Sequence, residues 1–156
     1  MGMDVYGKKP DAPLGEYFRR SVWGWHPLWE LCAEIAPDLC GKVKYAHSND
    51  GDGLNAEDSM QLALLLDQAC NNGRAAQLAQ GRREEVCTLP DEECYLCGGT
   101  GKRRPVGQGP GPGNEPCNAC NSTGRRRPFE TSYDADAEDV REFAEFLKHC
   151  GGFEIC

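Results

Sequence analysis

The sequence predicts a mainly α protein with minor β, a helical body into which a four-cysteine zinc hairpin is inserted. Three observations lead there: apolar residues recur at helical spacing in separate segments, two CxxC pairs lie in the second half of the chain, and a glycine- and proline-rich run separates those pairs. The body is expected from residues 1–89 and 129–156, with the hairpin at 90–128.

Residues 1–15, which include Pro10 and Pro13, read as an extended or looped lead-in. Tyr17, Phe18, Trp23, Trp25 and Trp29 then form an aromatic cluster that holds every tryptophan of the chain. A helix is predicted over 27–36, with Pro27 at its first position and Pro37 ending it. Leu28, Leu31, Cys32 and Ile35 give it one apolar stripe. Residues 42–47 read as a short strand. A second helix is predicted over 56–71, with Asn55 as N-cap, Glu57 and Asp58 in its first turn and Gly73 as its stop. A helical stretch over 74–86 is expected to be interrupted at Gly81 and to end before Pro90. Residues 102–116 are too rich in glycine and proline to pack, so they read as a flexible loop. Asp134 or Asp136 can cap a final helix over 137–150, with Val140, Phe143, Ala144 and Leu147 on one face. Gly151 and Gly152 end it, and Phe153 and Ile155 suggest a short terminal strand.

At 156 residues, with 39% hydrophobic and 27% charged residues, the chain can bury a real core without depending on metal for all its stability. Its longest apolar run, 62–66, is far short of a membrane span of roughly 20 residues. The opening Met-Gly-Met-Asp lacks the basic and apolar regions of a secretory signal, and Tyr6 breaks a myristoylation pattern. A cytoplasmic protein is therefore expected, in which ten cysteines serve as metal ligands, redox groups or small buried apolar residues rather than disulfides. Cys32, Cys40, Cys70, Cys87, Cys150 and Cys156 are scattered and read as mostly buried apolar residues. The net charge of −8 is uneven: 94–128 is basic, with Glu115 its one acid, and both flanks are acidic. That balance argues against wholesale nucleic-acid binding and leaves a local basic patch.

The metal signal is Cys94-x2-Cys97-x19-Cys117-x2-Cys120. Each CxxC turn places two sulfurs on one side of an ion, so two turns close a four-thiolate tetrahedron of the kind zinc prefers. Nearby glycines let backbone amides approach the sulfurs. With every ligand supplied by protein the site is closed, hence structural rather than catalytic. The rival is a dithiol redox pair, disfavoured because glycine-containing loops, not helices, follow both pairs. Cys94-Tyr-Leu-Cys97-Gly-Gly99-Thr-Gly101 is a full CxxCxGxG motif, and Cys117-Asn-Ala-Cys120-Asn-Ser122-Thr-Gly124 is a second copy with Ser122 in place of a glycine. These repeats resemble those of the DnaJ-type chaperone cysteine-rich domain. Such chaperones carry four repeats and bind two zinc ions, so two repeats imply one zinc. No His-Pro-Asp tripeptide is present, so ATPase stimulation does not carry over. The opening Met-Gly-Met-Asp-Val-Tyr-Gly-Lys and the closing Gly-Gly-Phe-Glu-Ile-Cys resemble a family of uncharacterised small proteins from bacteria and their phages, a resemblance that implies no particular activity.

Basic triplets follow both repeats: Lys102, Arg103 and Arg104, then Arg125, Arg126 and Arg127. Folded around one ion, they could be brought together to meet phosphates or an acidic protein surface, or could form a solvated rim. Tyr95 is the one aromatic platform beside them, which weakens single-strand recognition. Trp23, Trp25 and Trp29 read as core, with a partner-binding patch rimmed by Arg19, Arg20 and His26 as the alternative. Asp50-x-Asp52-Gly53 has the shape of a calcium loop, but Ser48 and Ser59 stand where Asp and Glu are needed, so a capped turn is expected. His26, His47 and His149 show no paired spacing. The expected function is non-enzymatic: a zinc-stabilised module that binds another protein, with nucleic-acid binding and dithiol oxidoreduction as alternatives.

Overall fold

The computed structural model describes residues 2–156. In chain order the elements are strand β1 (Gly2–Gly7), strand β2 (Tyr17–Ser21), helix α1 (Val22–Ile35), the short helix α2 (Pro37–Cys40), strand β3 (Asp52–Leu54), helices α3 (Ala56–Asn71) and α4 (Arg74–Thr88), the two-residue strands β4 (Glu92–Glu93), β5 (Lys102–Arg103), β6 (Glu115–Pro116) and β7 (Arg125–Arg126), helix α5 (Ala137–His149) and strand β8 (Phe153–Ile155). The protein is mainly α with minor β, as expected. It divides into two compact units, one formed by Met1–Glu84 with Tyr133–Cys156 and the other by Glu85–Ser132. The second unit takes in the last turn of α4 and the short helical turn Phe129–Ser132 as well as the hairpin.

In the first unit the expected lead-in loop is instead a strand. Met3 and Val5 are buried, whereas Asp4 is half-buried and Tyr6 exposed, the period-two alternation of a sheet with one covered face. An antiparallel sheet runs in the order β2-β1-β8-β3, with Val5 opposite both Phe18 and Ile155 and Leu54 opposite Phe153. Those side chains form the buried face. On the other, Asp4 stands opposite Arg19 and pairs with its Nε at 3.4 Å.

Helix α1 starts five residues before the predicted position because Ser21 caps it, accepting the Gly24 N–H at 3.3 Å. Pro27 therefore lies inside the helix. It has no N–H for the Trp23 carbonyl one turn back, and the Asp134 N–H fills that carbonyl at 3.2 Å. Residues 42–47 form turns, not a strand. The Asp52 carboxylate accepts the N–H groups of Lys44 and Tyr45 at 2.6 and 2.9 Å, which folds that segment back on itself. The Tyr45 bond, with those from Gly53 and Lys44, holds the Asp52 carboxyl below its ordinary range. Strand β3 follows instead and takes in Asp52 and Gly53 of the calcium-like sequence, so the expected turn is confined to residues 48–51 before the strand, and the cap that follows is that of α3 at Asn55.

Helices α3 and α5 carry the predicted caps. Asn55 accepts the Asp58 N–H at 2.8 Å, and Asp136 forms a capping box with Asp139. Helix α4 runs unbroken through Gly81, where an added Cβ would meet nothing within 4 Å, so that glycine costs helix propensity of about 1 kcal/mol without ending the helix. The core gathers Trp25, Phe143, Phe146 and Phe153 with Leu28, Leu62, Leu66 and Leu147. Trp25 meets Phe143 edge-on at 5.5 Å and stacks on Trp29 at 5.7 Å, each such ring pair adding about 0.5–1.5 kcal/mol beyond area burial.

Candidate metal centre

The second unit is built from two arms that share a set of matching bonds. In the first, the Gly99 N–H donates to the Cys94 carbonyl at 3.3 Å, and the Thr100 hydroxyl bridges the carbonyls of Cys97 and Lys102 at 2.8 and 2.7 Å. In the second, the Ser122 N–H donates to the Cys117 carbonyl at 2.9 Å, and the Thr123 hydroxyl bridges those of Cys120 and Arg125 at 2.6 and 2.8 Å. The arms then clasp reciprocally: the Cys94 N–H donates to Gly124 at 2.9 Å and the Cys117 N–H to Gly101 at 3.0 Å. Strand β4 before the first arm pairs with β7 after the second, and β6 before the second pairs with β5 after the first.

Glycine is required where the arms cross. A Cβ on Gly101 would lie 2.3 Å from the Ser122 carbonyl oxygen, and one on Gly124 would lie 2.0 Å from that of Gly99. Gly98 and Gly99 have φ of 58° and 74°, and their counterparts Asn121 and Ser122 take the same left-handed region at 49° and 62°. The serine that departs from the repeat thus keeps the glycine conformation.

This scaffold brings all four predicted ligands together. Cys94, Cys97, Cys117 and Cys120 are buried, and their sulfurs all lie within 4.8 Å of one another. Cys94 Sγ is 3.8 Å from Cys117 Sγ, and Cys97 Sγ is 3.8 Å from Cys120 Sγ. Zinc–sulfur bonds of about 2.3 Å at tetrahedral angles put sulfurs about 3.8 Å apart, whereas a disulfide needs about 2.05 Å. The residues therefore fit one zinc ion, held by four sulfurs with no position left for water. Backbone donation to sulfur is present as well, from the Gly124 N–H to Cys120 Sγ at 3.3 Å. Taken as thiols, Cys97 and Cys120 are shifted in opposite senses. Desolvation, with the neighbouring sulfurs, pushes Cys97 up to about 11; at Cys120 desolvation is outweighed by the Gly124 N–H and the other sulfurs, and the thiol comes down to about 7. Both CxxC turns run into left-handed residues, not into a helix N-terminus.

Among the described residues this is the one cluster of three or more potential ligands from His, Cys, Asp and Glu. Of the scattered cysteines, Cys32, Cys40 and Cys150 are buried, Cys70 is half-buried, and Cys87 and Cys156 are exposed. Burial drives the Cys32 thiol far above its ordinary value and the Cys40 thiol up to about 12.

The basic triplets lie in different two-stranded sheets, each opposite acidic sequence. Arg126 and Arg125 stand opposite Glu92 and Glu93, and Arg103 stands opposite Glu115. Arg126 also lies over the Tyr95 ring at 5.2 Å. Arg127 is committed to structure: its guanidinium donates to the carbonyls of Leu89, Val86 and Cys87 at 2.7, 3.0 and 3.4 Å and pairs with Asp91 at 3.3 Å. The Lys102 and Arg104 side chains are exposed. Trp25 and Trp29 are buried, so they cannot form the partner-binding patch offered as the alternative reading; the apolar stripe of α1 turns them into the core. Trp23 is exposed and stands 5.0 Å from the Tyr133 ring. The acidic partner strands and the Arg127 cap were not singled out from sequence, although Glu92, Glu93 and Glu115, preceding each CxxC by one or two residues, were a visible signal.

Comparison with known proteins finds no matching protein-family model, curated protein or solved structure. No helix among the described residues is long and apolar enough to cross a membrane.

Proposed function

We propose that this chain is a non-enzymatic interaction module in which a zinc-stabilised knot presents a small basic surface to an acidic face of another protein. The observation that carries the reading is the closed site: four buried sulfurs at tetrahedral spacing leave zinc no exchangeable position, so the metal's work is to hold shape. Lys102 and Arg104, with the Arg126–Tyr95 pair, are what the knot offers outward. The repeats resemble those of DnaJ-type chaperones in residue pattern, which favours a protein partner. The resemblance of both chain ends to small bacterial and phage proteins favours a phage-encoded chain acting on a host factor.

The test compares wild type with a Lys102→Gln, Arg104→Gln, Arg126→Gln variant, both zinc-loaded, in quantitative affinity capture from bacterial extract treated with nuclease. A protein retained by wild type and lost by the variant at equal zinc content supports the reading. Retention unaffected by the substitutions defeats it. Binding of single-stranded DNA or RNA that falls linearly in log units with log salt would replace it with nucleic-acid binding. Turnover in insulin disulfide reduction would replace it with dithiol chemistry.

A further inference from the structure

Two of the three histidines, His26 on α1 and His47 in the turn after α2, show no paired spacing in the sequence yet meet in the fold. Their ring centroids are 4.2 Å apart with planes inclined at 52°. Among the described residues neither imidazole makes a hydrogen bond or an ion pair, whereas His149 is engaged by Asp11 at 2.7 Å. His26 is half-buried yet has no buried nitrogen lacking a partner, so its ring nitrogens reach solvent, and His47 is exposed.

We propose that His26 and His47 form a second metal site, an open one that takes a single divalent transition cation of the nickel–copper–zinc group through two imidazoles. Metal–imidazole bonds of about 2.0–2.1 Å meeting near a right angle place the two ring centroids about 4.5 Å apart, close to the observed separation. Such cis positions belong to square-planar or octahedral coordination, the preference of copper(II) and nickel(II). No third protein ligand joins the pair, since the four knot cysteines are the one larger cluster among the described residues. Water or a donor from outside the chain completes the shell.

Both ligands are held before any metal arrives. The His26 ring stacks on Tyr133 at 5.5 Å and 18°, and Tyr133 lies against Trp23. His47 follows Ala46, a buried residue whose carbonyl accepts the Trp25 indole N–H at 2.6 Å. Asp52 pins the preceding Lys44 and Tyr45 N–H groups at 2.6 and 2.9 Å. Little ordering entropy then remains to be lost on coordination, which favours binding even with two ligands. The two sites sort metals by chemistry: four thiolates keep zinc, and two neutral imidazoles take the harder borderline ions.

The experiment titrates the zinc-loaded full chain with nickel(II), chosen because copper(II) would oxidise thiols, and follows heat and zinc content. The expected result is one nickel per chain with zinc retained. His26→Gln or His47→Gln should each weaken uptake at least about tenfold, and His149→Gln should leave it unchanged. In the wild type, paramagnetic broadening of the His26 and His47 ring protons, with those of His149 sharp, reports the same site without any substitution. No nickel uptake, uptake unchanged in the double His26→Gln, His47→Gln variant, or uptake accompanied by nickel–thiolate absorption and zinc release would each overturn the proposal.

Discussion

Ser122 occupies the left-handed region at φ 62° where the first arm has Gly99 at 74°. For a residue with a Cβ that conformation costs about 1–2 kcal/mol, and the arm's closing bonds to Cys117 and across to Gly101 hold it there. Ser122→Gly removes the strain and adds back about 0.5–1 kcal/mol of unfolded-chain entropy. The expected net is a knot more stable by up to about 1 kcal/mol, read as a severalfold rise in zinc affinity in competition with a chromophoric chelator. An unchanged or lower affinity would show that Ser122 is not strained. The four ligands were legible because thiolate spacing is written directly in the chain. The conformational match of Ser122 to Gly99 was not, because a positive φ is a property of backbone held by its neighbours. The same limit hid the histidine pair: His26 and His47 become neighbours only through the turn that Asp52 folds.

At the end of helix α4 the Thr88 hydroxyl donates to the Glu85 carbonyl at 2.6 Å, and Arg127, delivered from beyond the second repeat, binds the helix's Val86 and Cys87 carbonyls and that of Leu89 just after it. A cation there satisfies orphan acceptors and opposes the helix dipole, together worth about 1 kcal/mol for a half-exposed group. Arg127→Ala should fray residues 86–89, seen as faster amide exchange there and faster thiol labelling of exposed Cys87, with the four knot thiols still protected by zinc. Unchanged exchange would show that the cap is idle. Because the clamp depends on the second repeat being folded, chelating zinc should produce the same fraying. Helices α3 and α5 were legible to their caps, since Asn55 and Asp136 act on N–H groups a few residues away. Helix α1 was misplaced because Pro27 suits a first turn, and the Asp134 N–H that lets it sit deeper comes from a distant part of the chain.

The two compact units carry separate buried clusters, one aromatic and aliphatic, the other of cysteine sulfur with Leu96 packed against it. Chelation should therefore unfold 85–132 and leave most helical circular dichroism in place; collapse of the whole signal would mean the body borrows its stability from metal. Acid should act in the same sense as chelation, since protonating the thiolates competes with the cation. The sheet was the largest feature hidden from sequence. Its two central strands, β1 and β8, come from opposite ends of the described chain, and no local window contains both halves of a pair such as Val5 and Ile155. That arrangement sets a schedule for biosynthesis. As the polypeptide leaves the ribosome, both zinc repeats emerge well before residue 155, while β1 and β3 still lack the strand that lies between them. The knot can capture its metal first, and the nascent body waits, with its sheet divided, for Phe153–Ile155 to join the halves.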